Sequence, residues 1–288
     1  MACFSYIPSV EEYFAAYSTT LIVLLTICSI SLLLVATLYT RVVKVVVTQY
    51  SKPGRIELIL TNVIYVVVVV FSIISLAVPL FSEKLDLVSY IIFSWCIFTF
   101  YRYIRLAAGG HNALKETYEL NIQSLATGNR LRRAIRKLFA KYITVRLSIL
   151  QFPIVTTIIS GTQIGFYSAD EDLYHRTSAS ILPLHLISII LYLIAFALLI
   201  KNIESTFTDL QIKQKFRLLR LVVLVLRIQV SILEIIFRNV YINCDSFAGA
   251  SRSIFNFVKQ MLIVTEISIL AIVTWKVYRR EEKDFNDM

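Results

Sequence analysis

The chain has 288 residues, of which 57% are apolar and only 17% are charged, and its mean hydropathy is +0.72. Soluble domains carry roughly 45–50% apolar and about 25% charged residues, so the composition excludes an ordinary soluble domain and predicts a polytopic membrane protein. The net charge of +10 would suggest a nucleic-acid partner in a soluble protein. Here we expect no nucleic acid and a concentration of the charge in cytoplasmic loops.

Seven apolar segments are long enough to cross a bilayer, which takes about 20 residues. One of them contains the β-branched run Val66–Val70, which would favour a strand in water. In lipid a helix satisfies its own backbone hydrogen bonds, so we predict a helix there. The sequence thus predicts an all-α fold, a single seven-span transmembrane domain over residues 1–288. The predicted spans lie near residues 17–39, 56–80, 87–107, 142–164, 181–200, 218–240 and 255–277.

The basic residues of the loops alternate strongly between the two sides of the membrane. The loops after spans 1, 3 and 5 and the C-terminal tail contain 19 Lys and Arg residues, whereas the opposite side has three, Lys84, Arg176 and Arg252. Because basic loops stay in the cytoplasm, this asymmetry predicts an outside N-terminus and a cytoplasmic C-terminus. An odd number of spans requires the same arrangement.

The long loop at residues 108–141 contains the basic stretch RLRRAIRKLFAKY. At helical spacing its apolar residues fall on one face and its basic residues on the other, which favours an interfacial helix lying on anionic membrane lipid. The alternative is that these charges only set the topology. The apolar face would consist of Leu131, Ile135, Leu138, Phe139 and Tyr142.

Polar side chains interrupt the last two predicted spans. Arg227, Gln229 and Glu234 lie within span 6, and Glu266 lies near mid-depth in span 7. Charges at such depth cost several kcal/mol and normally face a bundle interior or a water-filled cavity. We predict that these four residues form either a substrate pathway or a polar core network. Arg227 would pair with Glu266 or meet an anion, and Gln229 would donate hydrogen bonds.

The cysteines and histidines give no sign of metal or catalytic chemistry. Cys3 and Cys244 both fall on the predicted outer side, where an oxidising environment favours a disulfide between them; two free thiols are the alternative. The three histidines lack metal-ligand spacing, and no phosphate-binding loop or catalytic motif occurs. We therefore expect no enzyme activity, no metal and no cofactor.

Stretches such as AGGHNALKET after span 3 and KFRLLRLVVLVLRIQ at span 6 resemble the alpha subunit family of the organic solute transporter. AGGHNALKET, which contains Gly109 and Gly110, looks like that family's Gly-Gly turn followed by a short polar helix. KFRLLRLVVLVLRIQ resembles the start of its span 6, with Gln229 at the matching distance from Lys215. Glu266 and the later VYRREEKD resemble its span 7, and LQFPIVTTIISGTQIGFYSADED resembles its span 4 and the acidic loop that follows. The opening ACFS and Cys244 are similar to cysteine positions of alpha subunits in particular. The chain departs from the family in having no cysteine at residues 111–141.

The resemblance implies a facilitative carrier of organic anions such as bile acids or conjugated steroids. It also implies a plasma-membrane protein that works with a single-span beta subunit. A seven-helix chemoreceptor or a non-transporting membrane scaffold that regulates trafficking remains the alternative. The sequence lacks the Asp-Arg-Tyr and Asn-Pro-x-x-Tyr marks of G-protein-coupled receptors, since span 3 ends in FYRYIRL.

Overall fold

The part of the chain that the structure describes is almost entirely helical. The structure is a computed structural model, and it describes residues 10–50, 52–124, 138–169, 171–203, 211–230, 232–233, 236 and 250–286. Of these described residues 96% are helical, and none of them lies in a strand. The all-α prediction is confirmed to that extent.

Eight α-helices follow one another along the described residues. They are α1 (Val10–Gln49), α2 (Lys52–Ala77), α3 (Ser82–Ala107), α4 (His111–Ser124), α5 (Tyr142–Ala169), α6 (Glu171–Ile203), α7 (Ile212–Val223) and α8 (Ala250–Asn286). A short 3₁₀ turn, Pro79–Phe81, precedes α3. Helix α7 continues as a π-helix over Leu224–Gln229.

Within the described residues, six helical stretches are long and apolar enough to cross a membrane. They are Tyr17–Gln49, Gly54–Ala77, Pro79–Ala107, Tyr142–Ala169, Pro183–Ile203 and Ser253–Glu282. They coincide with six of the seven predicted spans. The seventh, at residues 218–240, runs into a segment that is only partly described, so the seven-span count and the orientation of the termini stay predictions.

Two local features of the sequence form as expected. The run Val66–Val70 lies inside α2, where the helix satisfies the backbone and overrides the β-branched preference for strands. Gly109 and Gly110 have φ angles of +83° and +115°, a region that L side chains rarely adopt. Their N–H groups donate to Leu106 O and Arg105 O, which ends α3 and begins the short polar helix α4.

The contacts divide the chain into two compact units. Unit 1 consists of residues 1–43, 63–89 and 218–276, and unit 2 consists of residues 44–62, 90–217 and 277–288. Unit 2 has an aromatic core in which Phe196 stacks on both Phe100 and Phe216, at centroid distances of 5.9 and 4.7 Å. Within unit 1, Phe257 packs against Tyr13 and Tyr17 at 5.6 and 5.3 Å.

The predicted amphipathic helix and the predicted disulfide both fall largely outside the described residues. Residues 125–137 of the basic loop, and both Cys3 and Cys244, belong to that remainder. The described end of the loop gives one detail, since Phe139 is buried and its carbonyl accepts a hydrogen bond of 2.8 Å from Tyr118 Oη.

Candidate functional site

Unit 1 contains a buried ion pair surrounded by polar side chains, which we call the Lys259 cluster. It consists of Ser82 and Asp86 of α3 and Asn256, Lys259 and Gln260 of α8. Lys259 Nζ lies 2.5 Å from Asp86 Oδ2 and 3.1 Å from Ser82 Oγ. Ser82 Oγ donates to Asn256 Oδ1 at 2.7 Å, which anchors the start of α3 to α8.

The two charges of this cluster differ in their exposure. The Lys259 side chain is 3% exposed, whereas that of Asp86 is 31% exposed. Among the described residues, the Asp86 carboxylate has one short hydrogen bond, from Lys259 to Oδ2, and a long one of 3.5 Å from Gln260 Nε2 to Oδ1. The Asp86 carboxylate is therefore less tightly held than the Lys259 ammonium, which is enclosed.

A small cavity lies against the open side of Asp86. Its volume is about 20 Å³, which is room for one water molecule. Two serine hydroxyls and five apolar side chains complete its wall: Ser72, Ser89, Val68, Phe71, Leu226, Val230 and Ile263. Leu226 belongs to the π-helix and Val230 directly follows it, so one wall of the cavity is built on that irregular turn. Such π-helical turns are rare and are frequently found at functional sites.

Unit 2 contains a second buried ion pair inside an aromatic enclosure, which we call the Lys215 cluster. It consists of Tyr50, Tyr103, Lys215, Tyr278 and Glu281. Lys215 Nζ lies 2.8 Å from Glu281 Oε1 and donates to Tyr50 Oη at 2.6 Å. Tyr50 Oη in turn donates to Glu281 Oε2. The ammonium also lies 4.7 to 5.9 Å from the ring centroids of the three tyrosines, within range of cation–π attraction.

Burial governs the electrostatics of Lys215. The side chains of Lys215 and Glu281 are 4% and 7% exposed. Burial lowers the pKa of the Lys215 ammonium below its ordinary value of 10.5, and Glu281 offsets this only in part. Burial likewise raises the pKa of the Tyr50 hydroxyl, since the phenolate would be desolvated and would face Glu281. The cluster joins the end of α1, α3, the start of α7 and the end of α8.

The structure describes the four predicted site residues to different extents. Arg227 and Gln229 lie in the π-helix; Gln229 is half-buried, and the Arg227 side chain is outside the described part of the chain. Glu234 also falls outside it. Glu266 is half-buried in α8, and its Oε2 atom is buried without a hydrogen-bond partner among the described residues. The predicted Arg227–Glu266 pair therefore stays a prediction.

Sequence reasoning missed the two clusters. The predicted span 3 begins at residue 87 and so leaves Asp86 in a loop, whereas the stretch that is long and apolar enough to cross a membrane begins at Pro79. Lys215 was counted as a loop charge, although it lies on the buried face of α7 with Ile212, Phe216 and Leu219. That spacing of three and four residues was the signal that could have revealed it. Glu281 continues the buried face of α8 in the same way, after Thr274 and Tyr278.

The fold and these clusters define a multi-pass helical membrane protein with charged side chains enclosed among its helices. The chain belongs to the organic solute transporter Ostalpha family, whose family model matches residues 22–283. This is a family of transporters rather than of enzymes, and the resemblance found in the sequence is confirmed. Comparisons with curated proteins and with solved structures gave no match.

Proposed function

We propose that this protein is a facilitative carrier of amphipathic organic anions, such as bile acids or conjugated steroids, in the plasma membrane. It acts as the alpha subunit of a two-subunit transporter, with a single-span beta subunit as its partner. The observation that carries the proposal is the family match over residues 22–283, which covers nearly all of the chain.

Enclosed polar groups within the apolar helices support a transport role. Glu266 has a buried carboxylate oxygen without a described partner, and Gln229 is half-buried on the π-helix. Ionisable groups at membrane depth are costly and commonly mark substrate or ion pathways. In the proposed mechanism Arg227 meets the anionic group of the solute or pairs with Glu266, and Gln229 donates a hydrogen bond. Glu234 completes this polar lining.

Uptake of a labelled steroid sulfate into cells that express the chain tests the proposal. The chain is expressed alone and with candidate single-span partners, and surface protein is quantified in each case. Saturable uptake that follows the solute gradient, and that reverses when the gradient reverses, is expected. Uptake in the presence of one partner only would assign the two-subunit arrangement. Absence of uptake at normal surface expression with every partner would contradict the carrier function and favour a receptor or a scaffold.

Replacement of Arg227 by alanine tests the proposed pathway. We expect reduced uptake at an unchanged surface level, because the solute anion or Glu266 loses its cation. Arg217→Ala is the matched control, since Arg217 is an exposed arginine on the preceding helix α7. Equal uptake by Arg227→Ala and the parent protein at matched surface levels would remove Arg227 from the pathway.

A further inference from the structure

We propose that Lys259 is an anion-binding residue of the carrier and that Asp86 is its internal counter-ion, which the anionic group of the solute displaces. This inference rests on the proposed function and adds a site to it. In the solute-free protein the carboxylate of Asp86 is paired with the ammonium of Lys259. During transport the carboxylate or sulfate of the solute takes that place, and Asp86 turns toward the cavity.

The first support is that Lys259 is held more tightly by its surroundings than Asp86 is. Lys259 is enclosed and is fixed by Ser82 Oγ and Asp86 Oδ2 at 3.1 and 2.5 Å, with its ammonium 5.4 Å from the Phe255 ring centroid. Asp86 is 31% exposed, and its second oxygen has only the 3.5 Å contact with Gln260. Of the two, the carboxylate is thus the partner that can leave.

The second support is the cavity on the open side of Asp86. Its serine hydroxyls, from Ser72 and Ser89, can accept the displaced carboxylate as hydrogen-bond donors. The rest of its wall is apolar, which suits the hydrocarbon body of an amphipathic solute. The cavity thereby places an apolar surface beside the carboxylate that pairs with the buried cation, and an amphipathic anion requires both a cation and an apolar surface.

The size of the cavity defines the resting state. A volume of about 20 Å³ holds one water molecule and excludes a steroid, so the site is closed when Asp86 occupies Lys259. Entry of a solute requires one wall to move. The wall that contains Leu226 is built on the π-helix, whose widened turn departs from the regular hydrogen-bond ladder. We assign the opening movement to that wall.

Electrostatic energy explains why exchange is feasible. A buried ammonium without any counter-ion is strongly unfavourable, so Lys259 retains an anion throughout. Replacement of one carboxylate by another, or by a sulfate, preserves this pairing at every stage. Removal of the Asp86 carboxylate alone therefore favours solute binding. Removal of the Lys259 ammonium abolishes the electrostatic attraction that draws the anion into the site.

Three variants separate this mechanism from a purely structural ion pair. Asp86→Asn removes the competing carboxylate, so that the anion of the solute becomes the counter-ion of Lys259. Lys259→Gln removes the cation. The double variant, Asp86→Asn with Lys259→Gln, removes both charges, so neither charge is left buried without its partner. It should therefore fold even if the single variants do not. Glu116→Gln is the control, because Glu116 is an exposed acid on α4, outside the Lys259 cluster.

The first measurement is equilibrium binding of a labelled steroid sulfate to the purified full chain, followed by uptake in cells with its partner. Asp86→Asn should lower the Kd and the KM by about tenfold, since the apparent Kd is the intrinsic Kd divided by the fraction of sites that Asp86 leaves free. The double variant should reach the surface and lose at least about tenfold in kcat/KM for the sulfate. Binding of an uncharged steroid should respond to none of the three variants.

The outcomes distinguish this inference from the proposed function. A double variant that transports the sulfate like the parent protein, or an Asp86→Asn variant whose Kd matches that of Glu116→Gln, overturns the assignment. Transport by the parent protein in either case leaves the carrier function intact. Tighter binding by Asp86→Asn without any transport by the parent protein supports the site and contradicts the carrier function.

Discussion

The buried pair of Lys215 and Glu281 makes a quantitative prediction about stability. Lys215→Met keeps most of the side-chain volume but removes the ammonium that lies 2.8 Å from the Glu281 carboxylate, which is 7% exposed. Breaking a buried pair in this way costs about 3–5 kcal/mol. The variant also loses three cation–π contacts at 4.7 to 5.9 Å, which are part of the same cost. By contrast, Lys215→Met combined with Glu281→Gln removes both charges of this pair together and should be close to the parent protein in stability.

The assay is unfolding of the purified protein in mixed detergent micelles, which gives the free energy of unfolding of each variant. Lys201→Met is the matched control, because Lys201 is an exposed lysine at the end of α6 and should change stability by about 0.5 kcal/mol or less. The single changes should be strongly non-additive, since the two residues are in direct contact. A loss in Lys215→Met no greater than that in Lys201→Met would refute the argument that this pair stabilises the fold.

Three further predictions follow from the structure. In Glu281→Gln, burial still holds the pKa of Lys215 below its ordinary value of 10.5. At a pH between that lowered pKa and 10.5, the unfolded chain therefore binds a proton that the folded chain does not. Its stability should therefore rise with pH through this window, and a deficit that is the same at neutral and alkaline pH would contradict the reasoning. Gly110→Ala should cost about 1–3 kcal/mol because of its φ of +115°, whereas Gly161→Ala, on a helix with open space around it, should cost nothing; unfolding midpoints compare the two. Arg176→Cys should react with an impermeant thiol reagent in intact cells, and Lys115→Cys should react only after permeabilisation, in a background with Cys3 and Cys244 replaced; the reverse pattern would invert the predicted topology.

Sequence patterns were sufficient where a property depends on local composition. The apolar stretches predicted six spans that the structure describes, because a helix that crosses lipid must be long and apolar whatever it packs against. Gly109–Gly110 predicted a turn, since adjacent glycines tolerate positive φ angles that other residues avoid.

The paired charges depended on tertiary structure. Asp86 and Lys259 are separated by 173 residues, and Lys215 and Glu281 by 66, so nothing local indicates that they meet. From the sequence, each of these four residues is predicted to be a charge at the end of a span or in a loop, where water and headgroups would solvate it. Packing of α3 and α7 against α8 within their units removes that solvent and makes an opposite charge necessary.

The sequence by itself determined that this is a helical, multi-pass membrane protein of the organic solute transporter Ostalpha family, because hydropathy and short motifs are encoded residue by residue. Tertiary structure decided which of its charges are enclosed, which partner each one has, and where a cavity opens beside Asp86. Burial and pairing are properties of the space between helices, and that space is defined only when distant segments of the chain come into contact.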